Sequence, residues 1–452
     1  MRPTHILLLF PALLAGQAAA ADLFSFGGDL RLRDEYSDAA TTLDASLPRA
    51  EQNVVRFRAR AWAGLDIPGV PLSLNAGIAA EPRCHTEPAA TGTFPGKTGV
   101  EWRYAILDRL NLRWKPAADV SLTLGRQTLD GANTWLIGDG TPGDGSFTLF
   151  FDALRARWKS GSGGLSADLT LLRQNPDADA PLPAIGRVEN VNGARYSLTE
   201  QRESGLILNL ASDALAGARV EATYLWKHDR FDALRPNGDD GDLHTLHAKA
   251  SGETAAGFSW SVEAAWQFGR KTDSYAGGVR ERRDVSAHAL NARLTHASND
   301  ARRNRLSLVI EHLSGDDGKG RDNLFDVLWG RWPRFSEMAV YTFVNETNRR
   351  SGQYNNLQRA GLEWAFNPAA ETSLLLAYNL WLAPEKRPTR AATPGVFSGN
   401  GHVRGHFVRA VLTRQFTKQI SGHLLGEALF QGDYYARRDT VVFARAQVAW
   451  EW

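Results

Sequence analysis

Arginines recur at every second position in two short stretches of the chain. Arg31 and Arg33 form the first stretch, and Arg56, Arg58 and Arg60 form the second. A guanidinium is always charged and can bind a carboxylate through two parallel hydrogen bonds, so a row of guanidiniums could bind an anion weakly and hand it on. The candidate anion-binding residues are Arg31, Arg33, Arg56, Arg58, Arg60, Arg126, Arg155, Arg157, Arg305, Arg359, Arg409 and Arg445.

Carboxylates are also predicted on the polar faces of the strands that carry these arginines, and they could form ion pairs with them. If the arginines pair with them, the charges only stiffen a wide polar interior. Basic residues exceed acidic ones at the predicted interior positions, and this excess favours contact with a passing anion. The carboxylates that could act as partners are Asp29, Glu263, Glu311, Glu363, Glu427 and Glu451.

The segment that carries Arg56, Arg58 and Arg60 has a period of two. Its odd positions from Val55 to Leu65 are apolar, whereas the arginines fill even positions. A helix would scatter the three charges around its circumference, so the pattern predicts a β-strand with one oily and one wet side. Similar segments of roughly ten residues or slightly more, the length that a tilted membrane strand needs, recur along the chain. We count about eighteen, the first near Phe24 to Tyr36.

The chain closes on an amphipathic strand, Thr440 to Trp452, with Val448, Trp450 and Trp452 on one face and Arg445 on the other. Short turns alternate with long polar connections between the predicted strands. These features predict an all-β, transmembrane antiparallel β-barrel of about 18 strands, with short periplasmic turns and long extracellular loops.

The N-terminus has the pattern of a secretory signal. Arg2 and His5 precede the apolar stretch Ile6–Leu14, and the small residues Ala18–Ala21 follow. The apolar stretch is too short to span a bilayer. We therefore expect a signal peptide over residues 1–21 and a single barrel domain over residues 22–452 in the bacterial outer membrane.

Composition excludes other classes of protein. The 452 residues include 52 basic and 50 acidic side chains, a formal net charge of +2, which gives no sign of a nucleic-acid partner. After the signal there is no apolar run of about eighteen residues, so we expect no helical span. The mean hydropathy of −0.33 does not argue against a membrane, because barrels spread their lipid-facing residues by alternation.

A soluble all-β fold, either a propeller or a pair of sandwiches, is the competing architecture. It would need repeats of blade length and another reason for secretion. An enzyme built into the barrel is the competing function, but the chain has no G-x-S-x-G elbow and no H-E-x-x-H motif. The sequence predicts no catalytic residue, no cofactor and no metal site.

Several short motifs resemble those of a known family. Gly125–Gln127 ends a strand, Phe151–Leu154 follows a Gly-rich loop, and Ser314–Asp317 precedes Asn323–Leu328. In this order they resemble the motifs of the alginate export family of outer-membrane barrels. The resemblance implies a barrel of about eighteen strands whose basic lumen passes anionic polyuronate outward.

Two features depart from the family pattern. The family has a long periplasmic turn before its last hairpin, whereas Phe416–Ile420 predicts a tight turn and argues against a plug from that side. The loop from Ser314 to Arg334 ends in Trp329–Trp332 rather than the usual continuation, so the ligand could be a different anion. The segment Pro181–Glu203 could fold into the pore mouth as a constriction, or could equally form a mobile outer loop.

Two acidic clusters, Asp239–Asp242 and Asp316–Asp317, invite a calcium interpretation. Neither has the full EF-hand spacing, so solvated loops are the expectation. Cys84 is the single cysteine of the sequence, so an internal disulfide is excluded. Cys84 and His85 are expected in an exposed loop rather than at a metal site.

The sequence thus predicts an outer-membrane channel that passes an alginate-like anionic polysaccharide outward by passive diffusion. The alternative is an uptake porin for small anionic solutes such as uronates or organic acids. The expected partners are the anion, outer-membrane lipid and periplasmic export proteins.

Overall fold

The alternating segments of the chain form eighteen β-strands. The computed structural model describes residues 23–87, 98–129, 131, 135–138, 150–161, 164–174, 200–215, 217–232, 237–254, 256–274, 278–350 and 352–452. The strands are β1 Phe24–Asp38, β2 Gln52–Asp66, β3 Leu72–His85, β4 Gly99–Ala117, β5 Val120–Gln127, β6 Phe151–Lys159, β7 Leu165–Gln174, β8 Arg202–Leu215, β9 Ala218–Arg230, β10 Asp240–Glu253, β11 Phe258–Ser274, β12 Arg280–Ala297, β13 Arg305–Leu313, β14 Leu357–Ala369, β15 Thr372–Leu382, β16 Val403–Gln415, β17 Ile420–Gln431 and β18 Thr440–Glu451.

The strands close into one antiparallel barrel. Each strand pairs with its neighbours in the chain, and β1 pairs with both β2 and β18. This closure leaves no sheet edge open, and it confirms the predicted 18-stranded barrel. The described ranges contain one short α-helix, α1, Ala339–Thr342, and the 3₁₀ turns Phe343–Asn345 and Pro394–Val396. None of the helices in these ranges is long and apolar enough to cross a membrane.

Side chains sort to the two faces of the barrel as the period of two requires. On β2, Phe57 and Leu65 are exposed on the outer face, whereas Arg56 and Arg58 are buried on the inner face. An outer face of exposed apolar side chains suits contact with lipid, and the inner face takes the charges. The sequence-based assignment of the wet and oily sides is therefore confirmed for this strand.

The connections alternate between short and long. Leu215 to Ala218 and Gln415 to Ile420 are among the tight ones, and they lie at one edge of the barrel. We refer to this as the short-turn edge, which is periplasmic in bacterial barrels, and to the other as the long-loop edge. Cys84 and His85 are not in a loop as expected, because β3 extends to His85, whose Nε2 lies 3.2 Å from the Glu101 carboxylate.

The long connection between β13 and β14 folds into the lumen. We call Ser314–Asn356 the inward segment. Its side chains Trp329, Met338 and Phe343 are almost completely buried inside the barrel. They belong to an apolar cluster that fills part of the upper lumen. The sequence pattern predicted an outer loop here. The other candidate for a constriction, Pro181–Glu203, cannot be compared in full, because its residues 181–199 lie outside the described ranges.

Candidate functional site

Two arginine-rich strands face each other across the first hairpin. Register places Arg31 opposite Arg58 and Arg33 opposite Arg56, all on the inner face. Arg445 on β18 extends the group across the closure of the barrel, because β18 pairs with β1. We call this group the arginine wall, and its members are Arg31, Arg33, Arg56, Arg58, Arg60, Arg83 and Arg445.

Glu35 is the centre of one half of the wall. Its carboxylate accepts from Arg445 Nη2 at 2.7 Å, from Arg56 Nη1 at 3.0 Å and from Arg33 Nη1 at 3.3 Å. The Arg33 guanidinium also donates twice to the side-chain oxygen of Gln447, at 2.7 and 2.9 Å. One buried carboxylate therefore holds three cations in place.

Glu81 and Asp29 organise the other half. The Glu81 carboxylate binds Arg83 at 2.8 Å and Arg56 at 2.9 Å, and Arg31 approaches it to 3.3 Å. Asp29 is fully buried and contacts two further arginines of the wall. Its oxygens lie 2.7 Å from Arg58 Nη2 and 2.6 Å from Arg60 Nε.

Positive charge exceeds negative charge within this contact network. Among the described residues, seven arginines form ion pairs with four carboxylates, which are Asp29, Glu35, Glu81 and Glu337. Asp108 on β4 is buried close enough to interact with Arg60, whereas Asp66 and Glu451 share the inner face but lie exposed at the short-turn edge. Since charges in a wall of low dielectric are weakly screened, the surplus gives this side of the lumen a positive potential.

The inward segment packs against the arginine wall. Tyr341 donates to Glu35 at 3.4 Å, and Glu337 binds Arg445 at 2.8 Å. Burial raises the pKa of Glu337, but the Arg445 guanidinium opposes this effect and holds the pKa at about 2. Burial and the nearby Glu35 charge raise the pKa of Tyr341 to about 12. At neutral pH the segment therefore presents an ionised carboxylate and a neutral phenol to the wall.

Three candidate arginines elsewhere in the lumen also have carboxylate partners. Arg155 is bidentate to Asp168. Arg359 Nε lies 2.6 Å from Glu311, and Arg409 Nε lies 3.2 Å from Glu427.

The two remaining lumenal candidates are less enclosed. Arg157 is partly exposed on the inner face of β6, and Arg305 is exposed at the short-turn edge of β13. The predicted pairing of lumenal arginines with Asp29, Glu311 and Glu427 is thus present. The structure brings Arg31, Arg33, Arg56, Arg58, Arg60 and Arg445 together but leaves the other candidates dispersed.

Arg126 lies on the opposite face from the one predicted. Register aligns it with Leu110 and with Asp152, on the same face as the exposed Leu124. Its guanidinium makes two hydrogen bonds of 2.9 Å to Asp152 and stacks over Phe150. Arg126 therefore belongs to the outer face at the long-loop edge and not to the lumen lining.

A second charged cluster anchors the inward segment to the wall of β8–β11. Arg350 contacts Asp239 at 2.6 Å and Asp273 at 2.8 Å, and Lys271 reaches Asp326 at 3.3 Å. Members of this cluster are almost completely buried, and we call it the tether network. It consists of the cations Lys227, Lys271, Arg350 and Arg390 and the carboxylates Glu203, Asp229, Asp239, Asp273, Asp322 and Asp326.

One aspartate of each acidic cluster is buried, whereas Asp317 is exposed as the sequence suggested, and Asp240 and Asp242 lie on β10. Asp239 is buried against Arg350 and Lys271, and Asp316 is buried against Arg283 at 2.8 Å. Over the described ranges, no three potential ligand side chains come close enough to hold a metal ion. Arginine and lysine side chains from distant parts of the chain neutralise Asp239 and Asp316, the charge for which calcium was considered.

Sequence reasoning missed Glu35, Glu81, Arg83, Glu337 and Tyr341 as members of the site. The first three lie at the wet positions of their strands, so the period of two could have identified them. Glu337 and Tyr341 belong to the inward segment, which has no such period and offered no signal.

A closed, 18-stranded barrel with an apolar outer face and a charged lumen defines a porin-type outer-membrane channel. Solved porins have the same fold. OccAB1 of Acinetobacter baumannii matches with a TM-score of 0.58 at 10% identity, covering 96% of this chain and 97% of that chain. A BenF-like porin from Pseudomonas fluorescens Pf-5 matches with a TM-score of 0.56 at 10% identity, covering 94% and 98% of the two chains.

The family follows from the sequence match. The alginate export family model matches residues 22–391, and the chain belongs to that family. Among curated proteins, none matches the chain. The protein is accordingly an outer-membrane channel, and its family and fold are those of channel porins, which are not enzymes.

Proposed function

We propose that this channel passes an anionic, alginate-like polyuronate outward by passive diffusion, and that the arginine wall contacts the carboxylates of the passing chain. The observation that carries the proposal is the surplus of arginine over carboxylate in the wall. A polyuronate carries a carboxylate on every sugar, and guanidinium is the side chain best matched to bind it.

The pairing within the wall supports fast passage rather than capture. Conduction requires binding that is favourable enough for entry yet weak enough for release. Because Glu35 and Glu81 already occupy their arginines, an incoming carboxylate must compete with them at each step. Affinity at any one site thus stays low, whereas the several sites in a row favour anions over cations.

A second candidate function is uptake of small anionic solutes such as uronates or organic acids. The inward segment favours this alternative, since it crosses the lumen and contacts opposite walls. Trp329 donates to Glu203 on β8 at 2.9 Å, whereas Ser336 donates to Glu427 on β17 at 2.8 Å. A narrowed lumen suits a small solute better than a polymer unless the segment moves, and export would also need periplasmic partners to deliver the polymer.

The role of the wall can be tested by reversing its charge. In planar bilayers, we expect Arg58→Glu with Arg60→Glu to abolish or invert the preference for anions, because two cations beside Asp29 become anions. The matched control is Arg302→Glu with Arg303→Glu, two exposed positions on a short turn. An unchanged ion preference in the first variant, with the barrel folded, would remove the wall from the proposal.

The two candidate functions predict different effects of the length of the oligouronate on the block of ionic current. Oligouronates of increasing length should block the ionic current for progressively longer times if the channel conducts a polymer. If the channel takes up small solutes, monomers and dimers should already give the full effect. Block by long chains only at the channel mouth, without passage into the opposite compartment, would exclude the polymer.

A further inference from the structure

Two histidines meet on the outer face of the barrel near the long-loop edge. His288 on β12 and His312 on β13 are diagonal neighbours, since the register pairs His312 with Leu290. Their Nε2 atoms lie 3.2 Å apart. His288 is exposed and His312 is half-buried, so the two imidazoles are accessible from outside the barrel. We call these two residues the histidine pair.

The histidine pair lies at the upper limit of the apolar belt. Toward the short-turn edge, the next outer positions are the exposed Leu290 and Ile310. Toward the long-loop edge, the outer face of β12 reaches the exposed Asp284, and the exposed Trp266 is the register partner of His288. A border of aromatic and then charged side chains marks the level of the lipid headgroups, where water and dissolved ions have access.

The distances within the histidine pair match those of two imidazoles that share one metal ion. Two nitrogens at about 2.0 Å from a tetrahedral Zn²⁺ lie about 3.3 Å apart, and the centroids of their rings lie roughly 5 Å apart. In the pair, the Nε2 atoms are 3.2 Å apart and the ring centroids are 5.1 Å apart. A straight N–H···N hydrogen bond of this length would separate the centroids by about 5.5 Å, so the two rings are bent out of line, as a shared ion requires.

Gln358 on β14 holds the His312 ring from the other side. Its side-chain amide lies 3.0 Å from Nδ1 of His312, and the two residues are register partners. An amide oxygen that accepts from Nδ1–H leaves the Nε2 lone pair free, and a partner of this kind orients histidines that bind metals. The register partners of the pair, Trp266, Leu290 and Gln358, are uncharged, so they do not repel a cation.

Two other histidines of the outer face have a different partner. Nδ1 of His244 lies 2.8 Å from the Tyr224 hydroxyl, and Nδ1 of His406 lies 2.8 Å from the Tyr378 hydroxyl. A neutral phenol satisfies one ring nitrogen without supplying a second imidazole ligand. In the histidine pair, one Nε2–H points at the other Nε2. A metal ion replaces this hydrogen bond with two coordinate bonds, and the proton moves to an Nδ1 atom.

We propose that His288 and His312 bind a divalent transition-metal ion, Zn²⁺ or Cu²⁺, on the outer surface of the barrel. Imidazole nitrogen suits these ions and selects against Ca²⁺ and Mg²⁺, which take oxygen ligands. Within the described part of the chain no third potential ligand side chain is close enough, so water or headgroup oxygens complete the coordination. The site differs in place and in chemistry from the arginine wall, which lies inside the lumen.

Calorimetric titration of the folded, detergent-purified protein with Zn²⁺ and with Cu²⁺ tests this site. The wild type should bind one ion per barrel at the pair, with Cu²⁺ bound more tightly than Zn²⁺. His288→Ala and His312→Ala should each lower the affinity at least about tenfold, because either change leaves a single imidazole in place of two linked ones. The double variant should lose no more than either single variant. A wild type that binds neither ion would overturn the proposal.

His406→Ala is the matched control, because it removes one exposed imidazole from the same face and should keep the wild-type affinity. An equal loss in this control, or wild-type affinity in His312→Ala, would contradict the site. Electron paramagnetic resonance of the Cu²⁺ complex should show two nitrogen ligands in the wild type, and the same spectrum in His288→Ala would also contradict it. Heat-modifiable gel migration reports folding, and if one single variant fails to fold, the other carries the test.

Discussion

The arginine wall and the tether network contain the same kinds of side chain, yet their charge balance and origin differ. In the wall, seven arginines contact four carboxylates, and six of the seven come from β1, β2 and β3. In the tether network, six carboxylates outnumber four cations, and Asp322, Asp326, Arg350 and Arg390 come from long connections. The surplus of basic residues on the strands is the basis of the proposed contact with a mobile anion, whereas the enclosed ion pairs between loop and strand hold the inward segment in place.

The largest effect is expected from removing Arg350, which anchors the inward segment in the tether network. Arg350→Gln leaves the buried Asp239 and Asp273 short of their main partner, so docking of the inward segment should weaken by roughly 3–5 kcal/mol. Single-channel conductance should rise as the segment leaves the lumen. The neighbouring exposed Arg349 offers a control, and Arg349→Gln should conduct like the wild type. A wild-type conductance in Arg350→Gln would remove the anchoring role from the network.

A smaller effect is expected from removing an acid of the wall. Asp29→Asn relieves Arg58 and Arg60 of their shared counter-charge, so the anion-to-cation permeability ratio should rise about twofold or more. The barrel should remain folded, with a loss of roughly 1–2 kcal/mol for the weakened hydrogen bonds. Asp66→Asn, at an exposed inner position of β2, is the comparison. A shift toward cations would contradict the assigned role of the wall.

The smallest expected effect is a pH dependence of the contact between the inward segment and the arginine wall. The Glu337 pKa of about 2 lies below its ordinary value of 4.5, so its stabilising contact with Arg445 is complete above about pH 4.5 and is lost as pH falls toward 2. Because the Glu337 side chain is 34% exposed, solvent screening limits the effect to about 1 kcal/mol. Conductance recorded from pH 6 to pH 3 should rise less in Glu337→Gln than in the wild type. Identical profiles would exclude this contact as a tie between segment and wall.

The fold was predictable because a barrel repeats one simple rule. Alternation along strands such as β2 and β18 fixed their faces, and the number of alternating segments fixed the size of the barrel. The same rule puts Arg31 and Arg33 on the wet side of β1, where the register of β1 with β2 aligns them with the arginines of the second strand. Applied to β5, the rule puts Arg126 on the same side as Leu122 and Leu124, which is the outer face, so the prediction of Arg126 in the lumen departed from the rule and was wrong.

The anchoring of the inward segment could not be predicted in the same way. Arg350 is 111 positions from Asp239 and 77 positions from Asp273 in the chain, and no local pattern links them. Asp239 and Asp316 looked like solvent-exposed acids because their cationic partners lie on other strands or loops. Contacts that depend on a loop entering the barrel follow from the three-dimensional path of that loop, which hydrophobic periodicity does not encode.

Closure of the barrel between β1 and β18 passes through the arginine wall. Arg445 reaches Glu35 across this junction, and Gln447 accepts from Arg33 there. The contacts of Arg445 and Gln447 form only when the two ends of the chain meet, so an insertion intermediate with an unsealed cylinder has the β1–β3 part of the wall but lacks the part that β18 contributes. If the wall sets the ion preference as proposed, that preference is completed only when β1 and β18 pair, and a precursor that still leaks at this junction would discriminate less between ions.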